Sequence, residues 1–364
     1  MELTVSIRRR ASRRQPARKP TARREAWRGW AGYAAAVHLQ LLGLAVLRLG
    51  PGLVVAQVVV LAATLASALL SVVHDAGHSE FSRRPWVNVV AAQTAVPMGL
   101  WIGQYRVKHR VHHSQANVYP VDESTTPHPL LRVHPLSALR PWHRLQHLYA
   151  PALYALAWVG DLRSQVRYLL SGRAGDTVTG TLRSRASSYV AEKALTVALL
   201  LPYVALAGAA RSLTIGAAVL GLASLFAALV LIGGHVNVGL ADTPDAAFVE
   251  RIFATTAAFS TTSPWMRRLT GGLTHHHVHH LRAHAPRSAF DSLHRELVVS
   301  TAEQHQLSLV EFPSLGALVV GHFRRLRELG VDPAAVATTS GHSARQGGQR
   351  TLRGGKLATH LGRA

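Results

Sequence analysis

Four long apolar runs dominate the hydrophobic pattern of the chain and predict its architecture. A helix needs about 20 apolar residues to cross the hydrocarbon core of a bilayer. Gly50-Pro51-Gly52 separates the first two runs and Arg211-Ser212 separates the last two, so we expect two antiparallel helical hairpins. The predicted transmembrane spans cover residues 30–49, 53–73, 194–210 and 213–233.

Two further apolar stretches, Trp86 to Ile102 and Leu148 to Val159, bear on this number of spans. If either crossed the bilayer alone, the histidine clusters described below would lie on opposite sides of the membrane. Tryptophan and tyrosine at their edges are typical of the membrane–water interface. We therefore interpret both stretches as interfacial or re-entrant segments.

Basic residues orient the hairpins. The first 28 residues contain ten arginines and lysines, whereas each hairpin turn contains one arginine, Arg48 or Arg211. Because basic segments stay on the cytoplasmic side, we expect both termini and the long middle segment in the cytoplasm. The expected fold is an all-α integral membrane protein, with four transmembrane helices in two hairpins and a cytoplasmic helical cap that carries the histidine clusters.

The ends of the chain differ from its middle in composition. Residues 1–28 are rich in arginine and lack apolar periodicity, which predicts a disordered basic tail. A cleaved export signal is disfavoured, because the apolar run that follows is too long for one. Residues 29–335 form the predicted membrane domain, and residues 336–364, rich in Gly, Ser, Thr and Arg, form a second predicted disordered tail.

A formal net charge of +22 makes nucleic-acid binding an alternative to consider. No recognisable nucleic-acid-binding module follows the basic N-terminal run, however, and positive charge also holds cytoplasmic segments on an anionic membrane surface. We therefore expect membrane lipids, and no nucleic acid, as partners. The chain has no cysteine, which excludes disulfides and thiolate metal sites.

Histidine is unusually abundant, with 22 residues in a chain of 364. Most of the unusual density lies in three clusters, whose i, i+4 or i, i+3, i+4 spacing places the imidazoles on one face of a helix. His235 follows the fourth span, and an even number of crossings returns all these residues to the same side of the membrane. The expected metal ligands are His74, His78, His109, His112, His113, His235, His276, His279 and His280.

Nine imidazoles exceed the four ligands of a tetrahedral zinc ion, so this set predicts two metal ions with open positions for oxygen. Imidazole as a ligand leaves zinc, copper, iron and nickel as candidates. Four polar residues near the clusters are expected to orient the ligating rings through hydrogen bonds: Asp75, Asn117, Asp122 and Asn237.

The other histidines are expected to have no part in metal binding. His275 and His277 flank or interrupt the last cluster and lie off its shared helix face. The rest are expected to face solvent or the membrane interface: His38, His128, His134, His143, His147, His284, His294, His305, His322, His342 and His360.

Over about residues 30–335, this pattern resembles the membrane fatty acid desaturase superfamily. The motifs of that superfamily are His-x3–4-His, His-x2–3-His-His and (His or Gln)-x2-His-His, arranged around two transmembrane hairpins. The bacterial acyl-lipid and acyl-CoA desaturases are the most similar branch, on the evidence of Lys108 to His113 followed by Asn117 and Asp122, and of Gly271-Gly272-Leu273 followed by His279-His280-Leu281. The chain departs from that branch at Arg282-Ala283, where Phe-Pro is common, and at His276, where glutamine is common.

The resemblance implies an oxidoreductase with two iron ions and O2 as co-substrate, located in the plasma membrane of a bacterium. Its expected substrate is an acyl chain linked to a lipid, to CoA or to acyl carrier protein. Because the chain has no cytochrome b5-like segment with a His-Pro-Gly-Gly motif, we expect electrons to come from a separate donor, a ferredoxin or similar protein with its reductase.

Two other functions remain open. The same metal core can serve a hydroxylase or related oxygenase that acts on an acyl chain, alkane, terpenoid or specialised metabolite. Its product would gain one oxygen atom, whereas a desaturase product loses two hydrogen atoms. The third possibility is a non-catalytic metal-binding or transport protein of the membrane, which would not consume O2 in the presence of substrate.

Overall fold

The computed structural model describes residues 19–119, 121–123, 129–175, 177–237, 248–331, 350–353 and 356–357. The chain divides into two compact units. We call Arg23–Arg110 together with Ala152–Ala228 the membrane unit. The C-terminal unit consists of the described parts of Met1–Ala22, Val111–Pro151 and Leu229–Ala364.

Most described residues are helical. The helices in chain order are α1 Lys19–Val46, α2 Pro51–Gly77, α3 Pro85–Ala95, α4 Ile102–Ser114, α5 Gln146–Ala155, α6 Ala157–Ser171, α7 Leu182–Ala207, α8 Ala209–Val236, α9 Phe248–Thr255, α10 Pro264–Leu269, α11 His276–Leu281, α12 Phe290–Leu293, α13 Ser300–Gln304 and α14 Leu315–Leu329. Short 3-10 turns cover Pro141–Leu145, Leu273–His275 and Arg287–Ala289, and π-helical turns cover Leu69–Val73 inside α2 and His294–Val299.

Four of these helices are long and apolar enough to cross a membrane, as the hydrophobic runs predict. They cover Pro20–Val46, Pro51–Gly77, Leu182–Ala207 and Ala209–Val236. Each helix is longer than its predicted apolar run, because backbone hydrogen bonds continue the helix into flanking residues that are not apolar. The first helix therefore includes residues 19–28, which the composition assigns to the basic tail, while residues 1–18 of that tail lie outside the described residues.

The membrane unit has a core of aliphatic and small side chains, among them Leu61, Leu65 and Ala92. Large apolar side chains also cover its outer surface, and Val55 and Leu213 are 63% and 74% exposed. A continuous apolar exterior is unfavourable in water and is the normal surface of a protein surrounded by lipid. Burial and exposure in this unit therefore agree with a membrane protein.

Helix α6 has its apolar face outward. Val159, Leu162, Val166 and Leu170 are exposed on one side, and Gln165 and Tyr168 are buried on the other. Such a helix is typical of the membrane interface, the location predicted for the apolar stretch that ends at Val159.

The C-terminal unit is built around an aliphatic and aromatic core that includes Val249, Phe253, Val278 and Val298. Next to this core, β3 (Ala257–Phe259) pairs in parallel with β4 (Val310–Phe312). The remaining strands are β1 Arg173–Ala174 and β2 Thr177–Val178 in the membrane unit, and β5 Arg350–Arg353 and β6 Lys356–Leu357.

The described residues are mostly helical, as predicted, and the short strands are an addition that the sequence pattern did not predict. The strands have two to four residues, which is too short for an alternating pattern to be recognised. Strands β5 and β6 fall inside the segment 336–364 that was expected to be a disordered tail, whereas residues 336–349, 354–355 and 358–364 lie outside the described residues.

Four histidines that were expected to face solvent or the interface are buried: His134, His143, His294 and His322. Neighbouring groups make this burial possible. His134 stacks on Tyr119, with ring centroids 4.7 Å apart, and His294 Nε2 lies 2.6 Å from a carboxylate oxygen of Glu311. Spacing in the sequence does not reveal such partners. Among the described residues, His284 and His305 are exposed, as expected.

Candidate metal centre

One group of histidines lies in the membrane unit. His74 and His78 are at the C-terminal end of α2, directly after its π-helical turn, and α4 contributes His109. The ligand nitrogens of these three residues lie within 4.8 Å of one another. The Nε2 atoms of His78 and His109 are 2.9 Å apart. Three imidazoles from two helices thus come together. The π-helical turn directly before His74 fits such a site, because π-turns are frequent at functional sites.

Tyr105 supports this group from α4. Its ring stacks on His109, with centroids 5.1 Å apart and planes 14° from parallel. Burial raises the pKa of the Tyr105 hydroxyl, and the nearby Asp75 carboxylate raises it further. The phenol therefore stays neutral. Asp75, predicted to orient an imidazole, lies between His74 and His78 in the sequence and acts electrostatically on Tyr105.

A second group lies in the C-terminal unit. His112, His235 and His280 come from the ends of α4, α8 and α11, and their ligand nitrogens also lie within 4.8 Å of one another. The Nε2 atoms of His235 and His280 are 3.3 Å apart. In the same unit, the Nε2 atoms of His113 and His279 are 2.8 Å apart.

Hydrogen bonds orient two rings of this second group. His112 Nδ1 donates to Asp122 Oδ2 over 2.9 Å, and His235 Nδ1 donates to the backbone oxygen of Thr255 over 2.9 Å. Since each Nδ1 carries the proton, Nε2 keeps a lone pair that can bind a metal. A histidine ligand held by a carboxylate or a backbone carbonyl is the usual arrangement around bound metals.

Asn117 connects these supports. Its backbone N–H donates to Asp122 Oδ2, and its side-chain amide donates to the backbone oxygens of His235 and Thr255. The residue has φ +56°, a left-handed conformation that asparagine adopts more readily than most residues. Asn117 and Asp122 are therefore placed where the sequence predicted supporting residues. Asn237, the fourth predicted support, donates instead to the backbone oxygen of Leu318.

His276 lies beside the second group. Its ring centroid is 4.5 Å from that of His235 and 4.9 Å from that of His280. The close approach depends on Gly234, because a Cβ atom at that position would collide with the His276 ring. The pair Gly233-Gly234 in front of His235 thus has a steric reason.

The environment keeps the His280 imidazole neutral. Burial lowers the pKa of His280 well below its ordinary value, and the surrounding imidazoles lower it further. Neutral imidazole is the form that binds metals. A buried set of nitrogen donors about 3 Å apart also matches ligands around one ion, since metal–nitrogen bonds are about 2.1 Å long. The residues present therefore fit bound metal.

His275 and His277 are not part of these groups. His275 Nε2 lies 3.1 Å from Asp291 Oδ1, and its Nδ1 lies 2.9 Å from Thr274 Oγ1. His277 is fully buried next to Phe253. Both belong to the packing around α11.

Sequence reasoning missed the role of Thr255. Its contribution is a backbone oxygen, and a backbone atom leaves no trace in the residue pattern. The parallel pairing of β3 with β4, which begins two residues after Thr255, likewise could not be found from the sequence.

Comparisons with known proteins identify the family of the chain. The family model described as fatty acid desaturase matches residues 51–313. The sn-1 linoleoyl-lipid 6-desaturase of Arthrospira platensis is 22% identical over 292 residues, which cover 77% of this chain and 78% of the relative. The protein of the same name from Synechocystis is 23% identical over 285 residues, covering 74% and 79%.

A third relative, the acyl-lipid (7-3)-desaturase of Rebecca salina, is 24% identical over 290 residues, which cover 74% of this chain and 62% of the relative. No solved structure matches the chain significantly.

Proposed function

Because the chain belongs to the fatty acid desaturase family, we propose that it is a di-iron membrane enzyme that uses O2 to introduce a double bond into a fatty acyl chain. The observation that carries this proposal is the clustering of histidines in each unit, His74, His78 and His109 in one and His112, His235 and His280 in the other. Six buried or half-buried imidazoles with converging nitrogens are unfavourable without a ligand, because burial removes their hydration.

The donor set supports iron. It consists of nitrogen atoms, and imidazole binds iron well. One iron would be held by the three histidines of the membrane unit and the other by His112, His235 and His280. His113, His276 and His279 would complete the set of ligands. Asp122 and Thr255 hold His112 and His235 in the tautomer that leaves Nε2 free.

When bound, the irons would supply the redox chemistry with O2 that breaks unactivated C–H bonds. Two hydrogen atoms leave adjacent carbons of the chain. Together with two electrons and two protons, they reduce one O2 to two molecules of water. The electrons come from an external donor, for which a ferredoxin or similar protein with its reductase is the proposed partner.

The contribution of the protein is positioning and exclusion of water. An apolar cavity of about 260 Å³ lies within the membrane unit, lined by side chains of α1, α2, α7 and α8 such as Leu41, Leu65, Leu200 and Val219. Such a lining binds an alkyl chain through the hydrophobic effect and offers few hydrogen-bonding groups to water. We propose that the acyl chain occupies this cavity, linked to a lipid, to CoA or to acyl carrier protein.

We further propose that the enzyme resides in the plasma membrane of a bacterium with both termini in the cytoplasm. The charge distribution described above supports this orientation.

Expression in a host with a known lipid profile tests the function. Fatty acids lighter by two hydrogen atoms, formed only with the intact chain, are expected in the mass spectrum. The variant His112→Ala should form none while it still inserts into the membrane. Products heavier by one oxygen atom would favour the hydroxylase alternative, and substrate-independent metal binding without any product would favour the non-catalytic one. Full activity of His112→Ala would overturn the assignment.

A further inference from the structure

The N-terminus of helix α4, which carries His109, is capped by a carboxylate from another helix. Glu192 of α7 accepts hydrogen bonds from the backbone N–H of Ile102 over 2.6 Å and of Gly103 over 3.1 Å. These are two of the N–H groups that have no partner inside a helix. The negative carboxylate also interacts favourably with the positive end of the helix dipole. Glu192 therefore caps α4 from a position 90 residues away in the sequence.

The rest of α7 shows that this contact is specific. Glu192 and Thr196, one turn apart, are the buried residues of this 26-residue helix. An ionisable side chain inside a membrane span is costly and usually has a functional reason. Lys193, the next residue, donates to the backbone oxygen of Gly99. Two consecutive side chains of α7 thus hold the segment that leads into α4.

Neighbouring side chains hold the Glu192 carboxylate in place by hydrogen bonds, and a glycine leaves space for it. Ser188 Oγ donates to Glu192 Oε1 over 3.2 Å, and Trp101 Nε1 donates to Ser188 Oγ over 3.0 Å. Gly103 leaves the necessary space, because a Cβ atom there would lie 3.2 Å from Glu192 Oε1 and 2.9 Å from Trp101 Nε1. The approach of the two helices therefore requires both the carboxylate and the glycine.

This contact determines where His109 lies. A helix is a stiff rod with a rise of about 1.5 Å and a rotation of about 100° per residue. Its N-terminal contact with Glu192 therefore fixes the height and rotation of residues two turns later. On the same helix, Gln104 and Lys108 donate to Ser164, so α4 is held at its start and along one side. His109 then meets His78 across 2.9 Å.

We propose that Glu192 is a positioning residue that sets the register of α4 and thereby places His109 in the histidine group of the membrane unit. The inference rests on the proposed function in so far as His109 is a metal ligand. The contact between Glu192 and α4 can be tested without metal.

Hydrogen exchange of the full-length protein in lipid nanodiscs, followed by mass spectrometry, gives the first readout. In Glu192→Ala, the amides of Ile102 and Gly103 should exchange at least tenfold faster than in the wild type. In Glu192→Gln, the exchange rates of these amides should lie between those of the wild type and of Glu192→Ala, because the glutamine side-chain oxygen still accepts one hydrogen bond. Ser187→Ala is the control, since Ser187 is exposed on α7 and its hydroxyl donates to the backbone oxygen of Arg183 on the same helix.

Turnover and iron coordination give the second readout. In Glu192→Gln, kcat should fall at least tenfold with KM changed less than twofold, and X-ray absorption at the iron edge should show fewer imidazole ligands. Ser188→Ala keeps the hydrogen bonds of Glu192 to the backbone of Ile102 and Gly103, so its kcat should fall less than that of Glu192→Gln. Gly103→Ala should resemble Glu192→Gln, which covers the case in which Glu192→Ala fails to fold.

Wild-type exchange at residues 102–103 in Glu192→Gln, or wild-type kcat despite faster exchange, would overturn the inference. If the wild-type protein binds no iron and forms no product, the proposed function fails. In that case unchanged exchange overturns the role of Glu192 in holding α4, and faster exchange confined to the start of α4 supports it.

Discussion

Asp122 holds both a histidine ring and a neighbouring backbone segment through one side chain. The residue is 1% exposed, and a single carboxylate oxygen accepts hydrogen bonds from the His112 ring and from the Asn117 backbone. The contact fixes the tautomer of a proposed ligand and the start of the loop that carries Asn117. A carboxylate is suited to this position because it only accepts hydrogen bonds.

Asp122→Asn should weaken metal binding. The amide oxygen can accept one of the two hydrogen bonds, but the negative charge that favours a donating His112 Nδ1–H is lost. Loss of such a support typically costs about 10- to 100-fold in metal affinity or activity. Iron content at increasing chelator concentration and turnover measure the effect. Glu123→Gln removes the same charge one residue later and should behave like the wild type; equal loss in both variants would contradict the role of Asp122.

Gly234→Ala should displace His276 and leave the rest of α8 intact. A Cβ atom at residue 234 collides with the His276 ring, whereas at Gly221 on the same helix it meets its nearest neighbour at an ordinary 3.6 Å. Iron content and product formation should fall in Gly234→Ala and stay unchanged in Gly221→Ala. Normal iron content in Gly234→Ala would show that His276 is not needed.

At the residue scale, regular spacing selected most of the histidines that come together, and His235 was selected by its position after the fourth predicted span. It could not identify Thr255, which acts through its backbone oxygen. It also could not identify Glu192, although a carboxylate at the edge of an apolar run is a signal of interest. His134 is buried against the ring of Tyr119, a contact that spacing does not report.

The helix α14 illustrates the same limit at the scale of an element. Leu318, His322, Leu326 and Leu329 form its buried face. Helical spacing of the leucines predicts this stripe, but the sequence does not reveal that a histidine occupies its centre. Burial lowers the pKa of His322 to about 4 from 6.5.

The stability of the C-terminal unit should therefore decrease in mild acid. As the pH falls from about 6.5 to about 4, the unfolded chain gains a proton on His322 that the folded chain does not bind. The full loss in the free energy of unfolding is about 3 kcal/mol. This loss is absent above pH 6.5, because the His322 ring is then neutral in both the folded and the unfolded state. Thermal unfolding at pH 7 and pH 5 should show a smaller loss for His322→Gln than for the wild type.

His305→Gln is the control for this measurement, because His305 is exposed and its removal should leave the pH dependence unchanged. Equal pH dependence of the wild type and His322→Gln would contradict the assignment to His322.

Among the elements, the long helices were predictable and the strands were not. An apolar run of about 20 residues is a strong signal for a span. Strands β3 and β4, by contrast, have three residues each, and their pairing joins segments about 50 residues apart. Their formation depends on tertiary packing in the C-terminal unit, which no local pattern encodes.

For the whole molecule, four helices in the described part of the chain are long and apolar enough to span a membrane, and the two-hairpin topology and its orientation are predictions from hydropathy and charge. Because the chain has no cysteine, single cysteines can report on each side of the membrane. Arg48→Cys, in the first hairpin turn, should react with a membrane-impermeant maleimide in intact cells. Arg83→Cys, after the second span, should react only after lysis. The reverse pattern, or labelling of both in intact cells, would contradict the orientation.

The histidine groups differ in how much of the chain they require. The members of the membrane-unit group all precede residue 110, whereas His235 and His280 of the second group follow later. Helix α11, which carries His280, packs beside β3. The partner strand of β3 is β4, which ends at Phe312. Since a ribosome delivers the chain from its N-terminus, the second group can assemble only after the residues up to Phe312 have been synthesised. A nascent or truncated chain that stops before His235 carries one group without the other. Metal binding by the second group, as proposed, would therefore come later in biosynthesis than metal binding by the group of the membrane unit.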